Sequence, residues 1–252
     1  MTTEICALCQ TPNPLCESHI IPNAYFRKMK QERSGKLVTF DNAMHTPIGL
    51  TNESWSEPML CKTCEGIFSR LEQRNIQSLR KTAKNIQGNS DHGTLLYSYD
   101  YKSLNHFLVS ILWRAAVSKQ IPFSEVALEP KVIEEIRVQL LNGMTPVHKN
   151  IHCQIKKIKD GTKRILTSRY EGVALSPSAE KLGRCTMYTF IFAGYLIRYF
   201  HPSIPFSFSR QQGFVKNEFQ LFVPTIEMKN IPELMNPLTA AYGKAITGQV
   251  SF

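Results

Sequence analysis

The sequence predicts an α+β fold in two parts: a small module over residues 1–88 ending in a long helix, then a basic α+β domain over residues 94–252 with helices and an antiparallel sheet. Three observations carry this. Two Cys-x-x-Cys pairs, Cys6/Cys9 and Cys61/Cys64, stand 51 residues apart near the N-terminus. A helical spacing of apolar residues sets in at Lys62 and recurs as far as Leu141. Beyond residue 150 the pattern turns strand-like and is broken by turn residues. With 252 residues, 42% of them hydrophobic, the chain has enough apolar surface for a real core, which excludes a disordered class.

Taken in order, residues 1–60 hold Pro12, Pro14, Pro22, Pro47 and Pro58, which interrupt any helix and leave short strand-like pieces such as Lys36–Phe40. Such a segment needs a staple. Seven cysteines are too few for a disulfide scaffold, and paired Cys-x-x-Cys spacing in a reducing compartment reads as metal binding. Each pair puts two thiolates on one tight knuckle, so Cys6, Cys9, Cys61 and Cys64 are expected to hold one structural Zn²⁺ tetrahedrally, with Cys16 as a competing ligand.

From Lys62 the apolar stripe Ile67, Phe68, Leu71, Leu79 and Ile86 predicts a helix that Gly88 ends, placing the second cysteine pair at its N-terminus. Leu104–Val117 reads as a buried helix, its Trp113-Arg114 pair as packing with a satisfied guanidinium. Pro130–Leu141 reads as another helix, with Pro130 in the first turn and Gly143 past the end. Strands are expected at Ile151–Lys159, Lys163–Tyr170, Cys185–Phe200 and Glu218–Val223, with Asp160-Gly161 as a hairpin turn.

The N-terminus lacks a secretory pattern, and the uncharged stretch between Arg184 and Arg198 falls short of the ~20 residues that span a bilayer, so a soluble, cytoplasmic protein is expected. The net charge of +10 points to an anionic partner. Residues 91–252 carry 19 Lys/Arg against 12 Asp/Glu, hence +7 of it. In the expected hairpin Lys157 faces Arg164 and Ile158 faces Lys163, with Lys156, Lys159 and Arg169 nearby; opposed like charges are unfavourable unless a phosphate backbone lies across them. A solvated hairpin tip explains the same residues without a partner. Phe206, Phe208 and Phe214 are either stacking platforms or core. His92, His106, His148, His152 and His201 have no recognisable partner spacing.

Between the cysteine pairs, His19-Ile20-Ile21-Pro22 places a histidine at a strand end. The order Cys6-x-x-Cys9, His19-Ile20-Ile21-Pro22, Leu60-Cys61-x-x-Cys64 resembles the HNH nuclease superfamily, the ββα-metal or treble-clef zinc module, over residues 6–72. The resemblance implies a hydrolase cleaving DNA phosphodiester bonds, RNA being open, with a catalytic Mg²⁺ or Mn²⁺ beside a structural zinc. It matches His19 to the general base, a task suited to an imidazole of pKa ~6.5. It also suggests a role in bacterial defence or a mobile element.

The chain departs from that pattern. Ser18 precedes His19 where the family carries an acidic or histidine metal ligand, and Glu65 stands where histidine is common. Glu65 and Glu72 share a helical face, so a carboxylate site of Glu65 with Glu72 or Glu17 could hold the divalent ion. Structural accounts exist for each: Glu65 complements a helix N-terminus, Glu72 lies on a solvated face, and His19 is a buried histidine or a zinc ligand. For the family's intermediate asparagine the candidates are Asn42 and Asn52, with Ser56 and Glu57 in the stretch before Leu60. The alternative function is a non-catalytic zinc module binding nucleic acid or, through the second domain, a protein.

Overall fold

A strand from Leu15 to His19 (β3) pairs antiparallel with one from Ser56 to Cys61 (β6), and the chain then runs directly into helix α2, Lys62–Lys81. This ββα unit is preceded by two short strands, Glu4–Ile5 (β1) and Pro12–Asn13 (β2), that form a hairpin around the first cysteine pair. The computed structural model describes residues 3–32, 37–40, 49–51, 54–81, 92–97, 99–144, 148–159 and 173–246.

Between β3 and β6 the chain is not irregular throughout. Helix α1 occupies Asn23–Glu32, with Tyr25 N–H bonded to the Pro22 carbonyl, and buries Tyr25, Phe26 and Met29. Pro22 ends the strand and also precedes a helix, where a ring without an N–H is well tolerated. Strands β4, Leu37–Phe40, and β5, Gly49–Thr51, follow.

In the rest of the chain the helices fall close to their expected places. α3 spans Tyr101–Val117, capped by the Asp100 carboxylate accepting from Ser103 N–H at 3.0 Å. α4 spans Pro130–Asn142 and ends on Gly143 at φ 65°, the left-handed cap that glycine favours. The expectations for 82–90 and for 163–170, with its Asp160-Gly161 turn, lie outside the described residues.

The strands required more correction. β8 is His152–Lys159, as expected. The single strand over Cys185–Phe200 is a hairpin of β10, Cys185–Phe192, and β11, Tyr195–His201, turning on Ala193 (φ 50°) and Gly194 (φ 79°). Two positive-φ residues make the tight turn whose twist suits a hairpin, but alanine is a poor advertisement for it. β7 (Gly93–Tyr97), β9 (Val173–Leu182) and helices α5 (Phe206–Ser209) and α6 (Pro232–Ile246) were not anticipated. β12, Gln220–Glu227, starts and ends later than expected.

The sheet is mixed rather than antiparallel. Its order is β5-β4-β9-β10-β11-β8-β12-β7, with β4 parallel to β9 and β12 parallel to β8. Strand β8 is paired on both sides: Lys157 lies opposite Tyr195 of β11 and Thr225 of β12, and its expected partner Arg164 lies outside the described residues. β4, from the first 88 residues, extends the sheet formed by strands beyond residue 92, and one buried cluster runs from Cys6 and Phe68 through Trp113 to Phe190. α3 covers the face carrying Cys153, Ile155 and Tyr199. α6 covers the opposite face at Ile158, Ile191 and Leu196. No described helix is long and apolar enough to cross a membrane.

Candidate metal centre and the His19 site

The first cysteine knuckle is closed by backbone bonds from Gln10 N–H to Cys6 C=O (2.9 Å) and from Cys6 N–H to Thr11 C=O (3.0 Å), with Gln10 at φ 60°. Ala7 N–H to Met59 C=O, 3.0 Å, fastens the knuckle to β6. Cys61 ends β6 and Cys64 sits in the first turn of α2, so strand and helix each deliver one thiol to the same point.

The sulfurs of Cys6, Cys9, Cys61 and Cys64 all lie within 4.8 Å of one another, and Cys9 and Cys61 are 3.9 Å apart. A tetrahedron of ~2.3 Å metal–sulfur bonds has edges of ~3.8 Å, so the four can hold one metal ion, compatible with structural zinc. Cys16 is not part of the group; it lies in the β3 ladder opposite Leu60. The thiols differ before any ion arrives. Burial pushes Cys6 and Cys64 up, whereas the Thr11 hydroxyl brings Cys9 down to about 6. A cation at their centre supplies the charge that buried thiolates need. Among the described residues no other group of three or more His, Cys, Asp or Glu is so tightly gathered.

His19 stands at the end of β3, opposite Ser56. Its Nε2 is 2.9 Å from Ser54 Oγ, and its ring lies 6.4 Å from that of Phe26. Burial, then the charges of Arg114, Lys30 and Arg27, press its pKa below the ordinary imidazole value, so at neutral pH it is an uncharged proton acceptor.

Ser18, fully buried, points the other way. Its Oγ donates to Glu65 Oε2 at 2.8 Å and accepts from Leu60 N–H at 3.2 Å. β3 and α2 are therefore joined through Ser18 and Glu65. Glu65 Oε1 has no partner among the described residues.

Glu72, two turns further along α2, is largely withdrawn from solvent and engaged by an arginine. Its Oε1 accepts from Arg114 Nη1 at 2.8 Å, and the same nitrogen donates to the His19 carbonyl at 2.6 Å. Arg114 is 1% exposed and lies 5.2 Å over the Phe68 ring. Burial raises the Glu72 pKa, more than Arg114 lowers it. Glu17 is exposed on β3.

Arg114 is the residue that sequence reasoning undervalued. The one available signal was a charge inside the otherwise apolar run of α3, far along the chain from His19. Ser56 and Glu57 take structural parts: the Ser56 carbonyl accepts from the Gln120 side chain, and the Glu57 carboxylate accepts from Lys119 N–H at 3.1 Å. Asn42 and Asn52 lie outside the described residues.

Of the predicted basic residues, the described ones do not share one face: Lys156 and Lys157 alternate across β8, Lys156 Nζ bonds Gln211 Oε1 at 2.7 Å, and Lys159 pairs with Glu227 at 3.1 Å. Lys163, Arg164 and Arg169 lie outside the described residues. Phe214 is core, Phe208 packs on Phe200, and Phe206, 85% exposed, lies on the surface. Compared with protein-family models, with curated proteins and with solved structures, the chain matches none.

Proposed function

We propose that the β3–β6–α2 unit is a metal-dependent HNH-type endonuclease site acting on DNA, with zinc at the four cysteines as its scaffold. The observation that carries this reading is one strand–helix junction at which β3 ends on a neutral histidine and Glu65, the residue after the last cysteine, is fastened to the neighbouring Ser18. His19 is the general base that takes the proton of the attacking water; its low basicity keeps it unprotonated near neutral pH. Arg114, bonded to the His19 carbonyl, fixes the strand end that carries the ring.

Glu65 fits a divalent ion of the Mg²⁺ type, which takes one or two carboxylates and keeps several waters: Oε2 is fixed by Ser18 and Oε1 is unpaired among the described residues. Such an ion, Mg²⁺ or Mn²⁺, would offset the charge that builds on the scissile phosphate. Glu72 is not its second ligand in this reading, because Arg114 holds it. The four cysteines form a closed set with no open position, so zinc there shapes the site and does no chemistry.

A second reading has support of its own. Ser18 and Glu65 satisfy each other, and Glu72 is neutralised by Arg114, so the unit is also complete as a zinc module that binds nucleic acid or a protein without cleaving. Incubating the protein with supercoiled plasmid and Mg²⁺ or Mn²⁺, beside His19→Ala, separates the two. The nuclease reading expects metal-dependent nicking that the variant lacks. Salt-sensitive binding with no nicking under either metal assigns the module to binding alone.

A further inference from the structure

A polar row crosses the outer face of the sheet between two apolar clusters. Along β11, Leu196 and Phe200 point into those clusters and Arg198 lies between them. On β10, Thr189 lies between Met187 and Ile191, and the ladder sets Arg198 beside both Thr189 and Gln154. Lys156 follows Gln154 on the same face of β8. Glu233 reaches in from α6, its Oε1 accepting from Arg198 Nη2 at 2.8 Å. Gln211, beyond α5, offers Oε1 to Lys156 Nζ at 2.7 Å and to Gln154 Nε2 at 3.4 Å.

The row is built but incomplete. Arg198 Nε, Gln154 Oε1 and Glu233 Oε2 are all buried and have no hydrogen-bond partner among the described residues, although Gln154 is only 1% exposed. Orphaned buried groups are uncommon, and three on adjoining residues mark a place where something else bonds. Two cations face one carboxylate, so the row carries net positive charge. Burial and the neighbouring Arg198 both depress the Lys156 pKa, which an intervening anion would relieve.

The missing partner is defined by complementarity. Arg198 Nε needs an acceptor, Gln154 Oε1 and Glu233 Oε2 need a donor, and Lys156 Nζ, already bonded to Gln211 Oε1, has further protons to donate. We propose that this row binds a phosphomonoester group, either free phosphate or the terminal phosphate of a nucleic acid strand, with Gln211 Oε1 holding the place of one ligand oxygen. A monoester, with its second pKa near ~6, still carries an O–H for the carboxylate part of the time at neutral pH. A phosphodiester or a sulfate offers only acceptors and is repelled by Glu233. The site lies across the sheet from α3 and stands whether or not the His19 site cleaves.

Titration calorimetry of the zinc-loaded full chain with inorganic phosphate and with sulfate, at equal ionic strength, tests this. Phosphate is expected to bind one per chain and on the order of tenfold tighter than sulfate. Lys156→Met is expected to weaken phosphate by a similar factor, and Glu233→Gln, which turns an acceptor into an amide, to erase the preference over sulfate. Zinc content and melting temperature identify variants that have kept their fold. A 5′-phosphorylated oligonucleotide that displaces phosphate, where its unphosphorylated form does not, makes a strand end the occupant; if neither displaces it, the occupant is free phosphate. Equal binding of phosphate and sulfate, binding of neither, or a folded Lys156→Met that binds phosphate unchanged overturns the proposal.

Discussion

Arg114 shows how much one buried charge can organise. Its guanidinium ties the His19 carbonyl on β3 to the Glu72 carboxylate on α2, from a helix belonging to the other half of the chain. Removing one partner of a buried pair strands the other, which typically costs about 3–5 kcal/mol, whereas an apolar replacement of both can be nearly neutral. Arg114→Met is therefore expected to lose stability on that scale in urea titrations, and Arg114→Met with Glu72→Leu to lose less than Arg114→Met alone. Additive losses would mean that the ion pair is not what the arginine is there for. At the same scale, a His19 general base with a depressed pKa predicts nicking that is flat through neutral pH and falls only below about pH 6.5, as the imidazole protonates. An acid limb centred above that value would point to a different base.

At the scale of elements, a metal at the four cysteines would be a major tie for β1, β2 and the first knuckle, because β1 and β2 are only two residues long each. Structural zinc contributes an apparent 10–16 kcal/mol in small domains at about pH 7, comparable with the whole stability of a typical protein. Cys64→Ser is expected to lose the one bound zinc, measured by atomic absorption. Because the buried cluster runs unbroken from Cys6 and Phe68 to α3 and the sheet, calorimetry should then show a single transition at lower temperature. Two separate transitions would mean that residues 1–88 and 94–252 melt independently. Phe68→Ala tests the same continuity: the ring is fully buried, packs edge-on to Trp113 at 6.2 Å, and its loss should cost about 3–5 kcal/mol.

What could be read from the sequence was local. The Cys-x-x-Cys pairs, the stripe of α2 and the Pro130 and Gly143 bounds of α4 are signals a few residues long, and each marked its element. β9 escaped because Pro177 interrupts it; the ladder skips there, with Thr189 opposite Ser178 and Ile191 opposite Leu175. The parallel pairings of β4 with β9 and β8 with β12 leave no local trace, since both partners read simply as strands. The site divides in the same way. His19 and Glu65 follow from motif order, but the Ser18–Glu65 bond and Arg114 at the His19 carbonyl required the fold.

At the scale of the whole molecule, burial of histidines sets a pH dependence. His19, His106, His148 and His152 all have pKa values pushed below the ordinary imidazole value, and for each of them burial is the largest cause. His148 keeps Glu135 at 2.8 Å as a counterweight, with His201 5.5 Å away opposing it. A histidine with a depressed folded pKa is stabilising above its unfolded value of ~6.5, and that contribution is lost as pH falls toward the folded value, because the unfolded chain takes up the proton first. Each such group adds up to about 1.4 kcal/mol per pH unit to the slope while it titrates in the unfolded state alone. Glu72 runs the other way: its raised pKa lets the folded chain keep a proton that the unfolded chain has released, so it offsets at most one of the four. Stability measured by urea from about pH 8 to about pH 5.5 should therefore be level at first and decline below about 6.5. Acid also protonates thiolates and releases zinc, so a chromogenic chelator must be read in the same samples. The decline is expected to begin while zinc is still bound; a fall that starts only when zinc appears in solution would assign it to the cysteines instead.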